Sequence, residues 1–200
     1  MKKPTILSIN PDNPQTRLID KVCEVLENGG VIVYPTDTFY GIGCDINNKR
    51  AIQLVYRLKN RPLKQPFSFV CDSLKEISRY AQVSNYAYKT MNRLLPGPYT
   101  FILEGTRLVP KMMLTKRKTV GIRVPDNNIC LTIVRTFGRP IISTSAGHDD
   151  PESIAEAYGP NLDLIVDGGV FAQSPSSVVA LIDDVPEIIR EGKGDVSVFQ

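Results

Sequence analysis

The sequence predicts an α/β protein: a mixed β-sheet with helical cover, formed by a single domain over residues 1–200. Three observations carry this. Segments with helical spacing of apolar residues alternate with short apolar runs. The last two β segments lie at hairpin spacing, so the sheet is mixed rather than wholly parallel. No internal repeat or Gly/Ser-rich linker divides the 200 residues.

In chain order, Ile6 to Ile9 is an opening strand. Leu18, Ile19, Val22, Cys23 and Leu26 recur at helical spacing from Gln15 to Asn28, and Gly29-Gly30 stops that helix. Val31 to Tyr34 is a compact strand ended by Pro35. Lys49 to Leu58 is a helix, Phe67 to Cys71 a strand, and Leu74 to Tyr80 and Asn85 to Leu95 are helices. Pro96-Gly97-Pro98 turns the chain into the strand Tyr99 to Leu103. Strand Thr119 to Val124, helix Ile129 to Phe137, strand Pro140 to Ser143 and the β segments Ser177 to Ile182 and Glu187 to Arg190 follow.

Composition excludes several classes. With 42% hydrophobic and 22% charged residues, the chain is not of disordered type. No apolar run approaches the roughly 20 residues of a membrane span, and Met1-Lys2-Lys3-Pro4 opens nothing like a secretion signal. Cys23, Cys44, Cys71 and Cys130 stand apart, which disfavours zinc or a disulfide framework and fits buried thiols in a reducing cytoplasm. His148 is the single histidine, and with Asp149 and Asp150 beside it reads as an exposed loop residue.

The net charge of +3 is small, but basic residues cluster: Arg57, Lys59, Arg61 and Lys64, then Lys111, Lys116, Arg117 and Lys118. Such clusters fit phosphate binding or solvated loops equally. Polar clusters follow several strands: Thr36-Asp37-Thr38 running into Tyr40-Gly41-Ile42-Gly43, Arg123-Val124-Pro125-Asp126, and Ser143-Thr144-Ser145-Ala146-Gly147. Ligands of α/β sheets gather near strand ends, where hydroxyls, N–H groups and Arg grip anions. Turn formation and capping explain any one cluster; their number, with Lys59 and Arg61, points to a site. Lys59 also suits a helix C-terminus, a gain of roughly 0.3–1 kcal/mol. Pro62 and Pro66 stiffen the segment that carries Arg61. Asp37 fits a loop cap and Tyr40 fits core or pocket wall, whereas Arg123 and Arg190 are the strongest ligand candidates. No Walker-type phosphate loop is present, and Gly41-Ile42-Gly43 is too short for a dinucleotide fingerprint.

Taken together, Tyr34-Pro35-Thr36-Asp37-Thr38-Phe39-Tyr40-Gly41-Ile42-Gly43, Lys59-Asn60-Arg61-Pro62, Leu95-Pro96-Gly97-Pro98-Tyr99-Thr100, Thr119-Val120-Gly121-Ile122-Arg123-Val124-Pro125, Ser143-Thr144-Ser145-Ala146, Pro175-Ser176-Ser177-Val178-Val179 and Ile189-Arg190-Glu191-Gly192 resemble, in order, the YrdC/YciO family of threonylcarbamoyl-adenylate synthase-like proteins. The resemblance implies a twisted sheet with a basic concave cleft. It implies nucleotidyl transfer in the cytoplasm: L-threonine, bicarbonate and ATP give threonylcarbamoyl-adenylate and pyrophosphate for tRNA modification, with Mg²⁺ as a helper. By motif, Thr38, Arg123, Ser145 and Ser177 match threonine-binding positions. Lys59, Arg61, Thr119 and Arg190 match nucleotide-binding positions, and Lys59 and Arg61 are the catalytic candidates. The resemblance also implies double-stranded RNA or tRNA as a partner.

Two positions depart from the synthases. A nucleotide-contacting Asn is here Gly147, and a histidine near threonine is here Val70. With Cys44, Thr119 and the Tyr99–Leu103 strand they resemble the YciO branch, although the Lys59/Arg61 pair is intact. Two functional readings stay open: a synthase, or a binder of nucleotide or double-stranded RNA that forms no adenylate.

Overall fold

The computed structural model describes residues 3–62, 65–169 and 174–199; Lys64, one of the clustered basic residues, lies outside the described residues. Strands β1 (Thr5–Ser8), β2 (Ile32–Tyr34), β3 (Gly41–Gly43), β4 (Ser68–Val70), β5 (Tyr99–Glu104), β6 (Thr119–Arg123), β7 (Ile141–Ser145), β8 (Leu164–Asp167), β9 (Ser177–Ile182) and β10 (Val185–Arg190) form one sheet. Their spatial order is β1-β8-β2-β3-β7-β4-β6-β5-β9-β10. Parallel pairs (β1 with β8, β2 with β8, β4 with β6, β5 with β9) occur beside antiparallel ones (β2 with β3, β3 with β7, β4 with β7, β5 with β6, β9 with β10), so the sheet is mixed as expected. Helices α1 (Thr16–Glu27), α2 (Lys49–Leu58), α3 (Leu74–Tyr80), α4 (Asn85–Leu94), α5 (Asn128–Phe137) and α6 (Pro151–Tyr158) cover it.

Local chemistry sets the helix ends. Asn48, Ser73, Ser84, Asn127 and Asp150 each accept a backbone N–H of the first turn through the side chain. Gly138, at φ 72°, closes α5 in the left-handed conformation. The predicted elements are present with ends shifted by a few residues, and β3, α6 and β8 are additional. β3 is only Gly-Ile-Gly, too short to show alternation. α6 opens on Asp-Pro, which reads equally as a turn. β8 carries an apolar run of the same kind as β2.

The two faces of the sheet differ. On one, α2, α3, α4 and α6 bury a continuous core that includes Val33, Ile42, Phe69, Phe101, Ile122, Ile142 and Val179. On the other, α1 and α5 bury Ile32, Tyr34, Val70, Ile141 and Val166. Beyond that cover, the outward positions of β4, β5, β6, β7 and β9 form an open wall. All four cysteines are free and buried, and burial pushes the Cys23 thiol up to about 11.

Gly41 and Gly43 make room for the Tyr34 ring, whose hydroxyl donates to the Ile142 carbonyl oxygen at 3.0 Å. A Cβ at Gly43 would overlap that same carbonyl oxygen, part of the backbone, so nothing flexible can yield. Gly43→Ala is therefore expected to destabilise the fold by about 1–3 kcal/mol, read as a lower urea midpoint with an unchanged slope.

Candidate functional site

The open wall lines a cleft of about 670 Å³. Strand alternation builds it: along β6, Val120 and Ile122 point into the core while Thr119, Gly121 and Arg123 take the other face. Thr100 on β5, Ser68 on β4, Ser143 and Ser145 on β7, and Ser176 just before β9 complete a surface of hydroxyls. Gly121 keeps the floor flat, since a Cβ there would stand 2.5 Å from the Ser68 hydroxyl. The site thus spreads over a sheet face, not only over loops at strand ends.

Arg61, Arg123 and Arg190 line this cleft, and no Asp or Glu stands in its described lining. Arg123 is buried; one terminal nitrogen donates to Asp37 Oδ1 at 2.8 Å and to Thr38 Oγ1 at 3.0 Å. Its Nε, like that of Arg61, is buried without a hydrogen-bond partner among the described residues. Such orphaned donors cost about 1–3 kcal/mol each unless a ligand satisfies them. Arg61 stacks 4.8 Å from the Phe67 ring centroid and donates to the Pro66 carbonyl oxygen at 3.3 Å.

Arg190 reaches the wall through a bulge. Ile188 pairs with Val179, but Arg190 pairs with Val178, so the extra Ile189 turns Arg190 onto the cleft face. It donates to the Ser176 carbonyl oxygen at 3.1 and 2.8 Å and to the Ser176 hydroxyl at 3.2 Å. Burial and then the nearby Arg123 charge lower its pKa from the usual guanidinium value. Neither Arg61 nor Arg190 has an ion-pair partner among the described residues. A cleft with cations crowded and incompletely paired suits an anion.

The remaining candidates fall into three groups. Thr38, Thr119 and Ser145 line the cleft; Thr119 shares a 2.7 Å hydrogen bond with Thr115, also in the lining. Ser177 lies fully buried beneath the wall, where its hydroxyl donates to the Gly194 carbonyl oxygen at 2.6 Å and accepts from the Gly192 N–H at 3.0 Å. Lys59 is outside the lining, and its ammonium donates to the Tyr158 hydroxyl at 3.1 Å. Val70 is fully buried among Tyr34 and Ile141, and Gly147 sits at φ 78° with open space where a Cβ would be. His148 packs edge-on at 6.1 Å from the Tyr158 ring centroid.

Sequence reasoning missed Ser68, Thr100, Thr115 and Tyr158. For Ser68 and Thr100 a signal existed: hydroxyls at alternate positions of otherwise apolar strands. Asp37, which fits a loop cap in the sequence, is a hub; its carboxylate also accepts the Asp126 N–H at 3.0 Å, and its carbonyl oxygen accepts from the Lys193 ammonium at 2.6 Å. No group of three or more His, Cys, Asp or Glu among the described residues could hold a metal ion. No helix among them is long and apolar enough to cross a membrane. The Arg123 and Asp37 side chains are 10% and 6% exposed, so removing one partner strands a buried charge. Asp37→Ala is expected to lower unfolding stability by about 3 kcal/mol or more, measured by chemical denaturation.

Comparison with known proteins places this geometry. The Sua5_yciO_yrdC family, described as "Telomere recombination", matches residues 24–192. The uncharacterized protein YciO of Escherichia coli K12 is 44% identical over 96% of this chain and 97% of its own. The E. coli YciO crystal structure superposes with a TM-score of 0.95 at 42% identity, covering 98% of this chain and all 100% of that one. Mouse threonylcarbamoyl-AMP synthase is 32% identical over 84% of this chain and 61% of its own length. The crystal structure of P. abyssi Sua5 complexed with L-threonine matches with a TM-score of 0.87 at 25% identity, over 94% of this chain and 57% of that one. With one profile covering most of its length and a near-full-length relative in YciO, the chain belongs to the Sua5/YciO/YrdC family.

Proposed function

We propose that the cleft binds ATP and carries out threonylcarbamoyl-AMP synthase-type nucleotidyl transfer: L-threonine, bicarbonate and ATP to threonylcarbamoyl-AMP and pyrophosphate, feeding tRNA modification in the cytoplasm. The observation that carries this reading is the convergence of Arg61, Arg123 and Arg190 on one hydroxyl-lined cleft, two of them with orphaned Nε donors. The mouse synthase and the threonine complex of P. abyssi Sua5 support the choice of chemistry.

In this reading the amine of threonine takes up bicarbonate with loss of water. The resulting carbamate oxygen then attacks the α-phosphorus of ATP as the bond to pyrophosphate breaks. No protein nucleophile is needed; the protein holds two anions together and offsets their charge. Thr38, Arg123 and Ser145 form the threonine side, with Arg123 held in direction by Asp37 and Ser177 bracing the wall from beneath. Lys59, Arg61, Thr119 and Arg190 form the nucleotide side, and Lys59 and Arg61 stabilise the departing pyrophosphate. The described lining offers no carboxylate to hold Mg²⁺, so these residues do not fit a protein-held metal, and no step is assigned to one.

A second reading is a nucleotide- or double-stranded-RNA-binding protein without adenylate formation. It is favoured by the fully buried Val70 and by the bare backbone at Gly147. Exposed Lys116, Arg117 and Lys118, between the lining residues Thr115 and Thr119, would extend a phosphate-binding surface.

Pyrophosphate release that requires both threonine and bicarbonate is expected, falling by about tenfold or more in Arg61→Ala. ATP binding without such release selects the second reading. Gly147→Asn is expected to fold with less than about 1 kcal/mol of loss, since Asn tolerates the left-handed region. Tighter ATP binding by that variant, in a titration beside the parent protein, supports a nucleotide at this loop; unchanged binding removes Gly147 from the nucleotide side.

A further inference from the structure

We infer that Tyr158 is a positioning residue for Lys59, an inference that rests on the nucleotide reading of the cleft. Lys59 follows the last turn of α2 and has no ion-pair partner among the described residues. Its ammonium instead donates to the Tyr158 hydroxyl at 3.1 Å and lies 5.1 Å from the centroid of that ring. The same hydroxyl donates to the Ala146 carbonyl oxygen at 3.1 Å.

A phenol has one proton, and here it goes to Ala146. Only lone pairs remain to face Lys59, so the direction of both hydrogen bonds is fixed. Ala146 is itself anchored, its N–H donating to the Tyr40 carbonyl oxygen at 2.7 Å, and it follows the cleft residue Ser145. Tyr158 therefore ties a long, flexible cation on α2 to the end of β7.

The chemistry of the tether matters. A carboxylate at this place would hold the ammonium more tightly but cancel its charge. A neutral hydroxyl uses one of three N–H donors and leaves the positive charge and two donors for a ligand anion. Holding the stem in place beforehand reduces the rotamer freedom lost when the anion arrives. If packing alone were the role of Tyr158, its ring would suffice and the two hydrogen bonds of its hydroxyl would be dispensable.

The test is a double-mutant cycle in ATP affinity, by calorimetric titration of the parent protein, Tyr158→Phe, Lys59→Ala and the double variant. Tyr158→Phe keeps the ring, so its thermal melt checks that the fold is intact. Expected are an affinity lower by about tenfold in Tyr158→Phe and a double variant no weaker than Lys59→Ala alone. Parent-like affinity in a folded Tyr158→Phe overturns the inference, as do losses that simply add in the double variant. Both results leave the nucleotide reading standing. A parent protein that binds no ATP overturns that reading and this inference together.

Discussion

One face of the sheet is buried from β8 through β9, with only the edge strands β1 and β10 exposed, whereas α1 and α5 bury only one end of the other. That constraint decides what each strand carries. Core-side positions must be apolar throughout, and Phe69, Phe101, Ile122, Ile142 and Val179 are. Opposite positions split by location: Ile32, Tyr34 and Val166 lie under the helices, while Ser68, Thr100, Thr119 and Ser143 lie in the cleft. The hydroxyls there are largely buried but partnered, Thr100 with Ser176 at 2.8 Å and Thr119 with Thr115 at 2.7 Å, which lowers the cost of burial.

Of Arg61, Arg123 and Arg190, it is Arg123 that is buried. Asp37 makes this tolerable, and the pair joins separate parts of the chain: the loop after β2, the end of β6 through Asp126, and the C-terminal segment through Lys193. The same bonds fix the guanidinium while leaving its Nε unpaired. A rigid guanidinium lining the cleft is arranged for an incoming anion before that anion binds. Arg190 reaches the same space by a different device, the bulge at Ile189, and is anchored on Ser176.

Much of this was legible in the sequence. The period-3.6 segments became α1, α2 and α5, and the apolar runs became β2, β5, β6 and β9. Thr38, Arg61, Thr119, Arg123, Ser145 and Arg190 gather in one cleft although they come from distant segments. What escaped has physical reasons. The direction of Arg190 depends on a one-residue register shift that leaves no compositional mark. The contact between Lys59 and Tyr158 joins residues far apart in sequence that do not alternate or repeat. Gly41-Ile42-Gly43, too short for a dinucleotide fingerprint and for any alternation, is a strand whose glycines make space for Tyr34.

The central claim is that the arginine-lined cleft receives the phosphates of a nucleotide. It is tested most directly by a crystal structure with a non-hydrolysable ATP analogue and L-threonine. The account predicts phosphate oxygens within hydrogen-bonding distance of Arg61 and Arg190, and the threonine carboxylate against Arg123. An analogue bound elsewhere, with both orphaned Nε donors still unpaired, would contradict it.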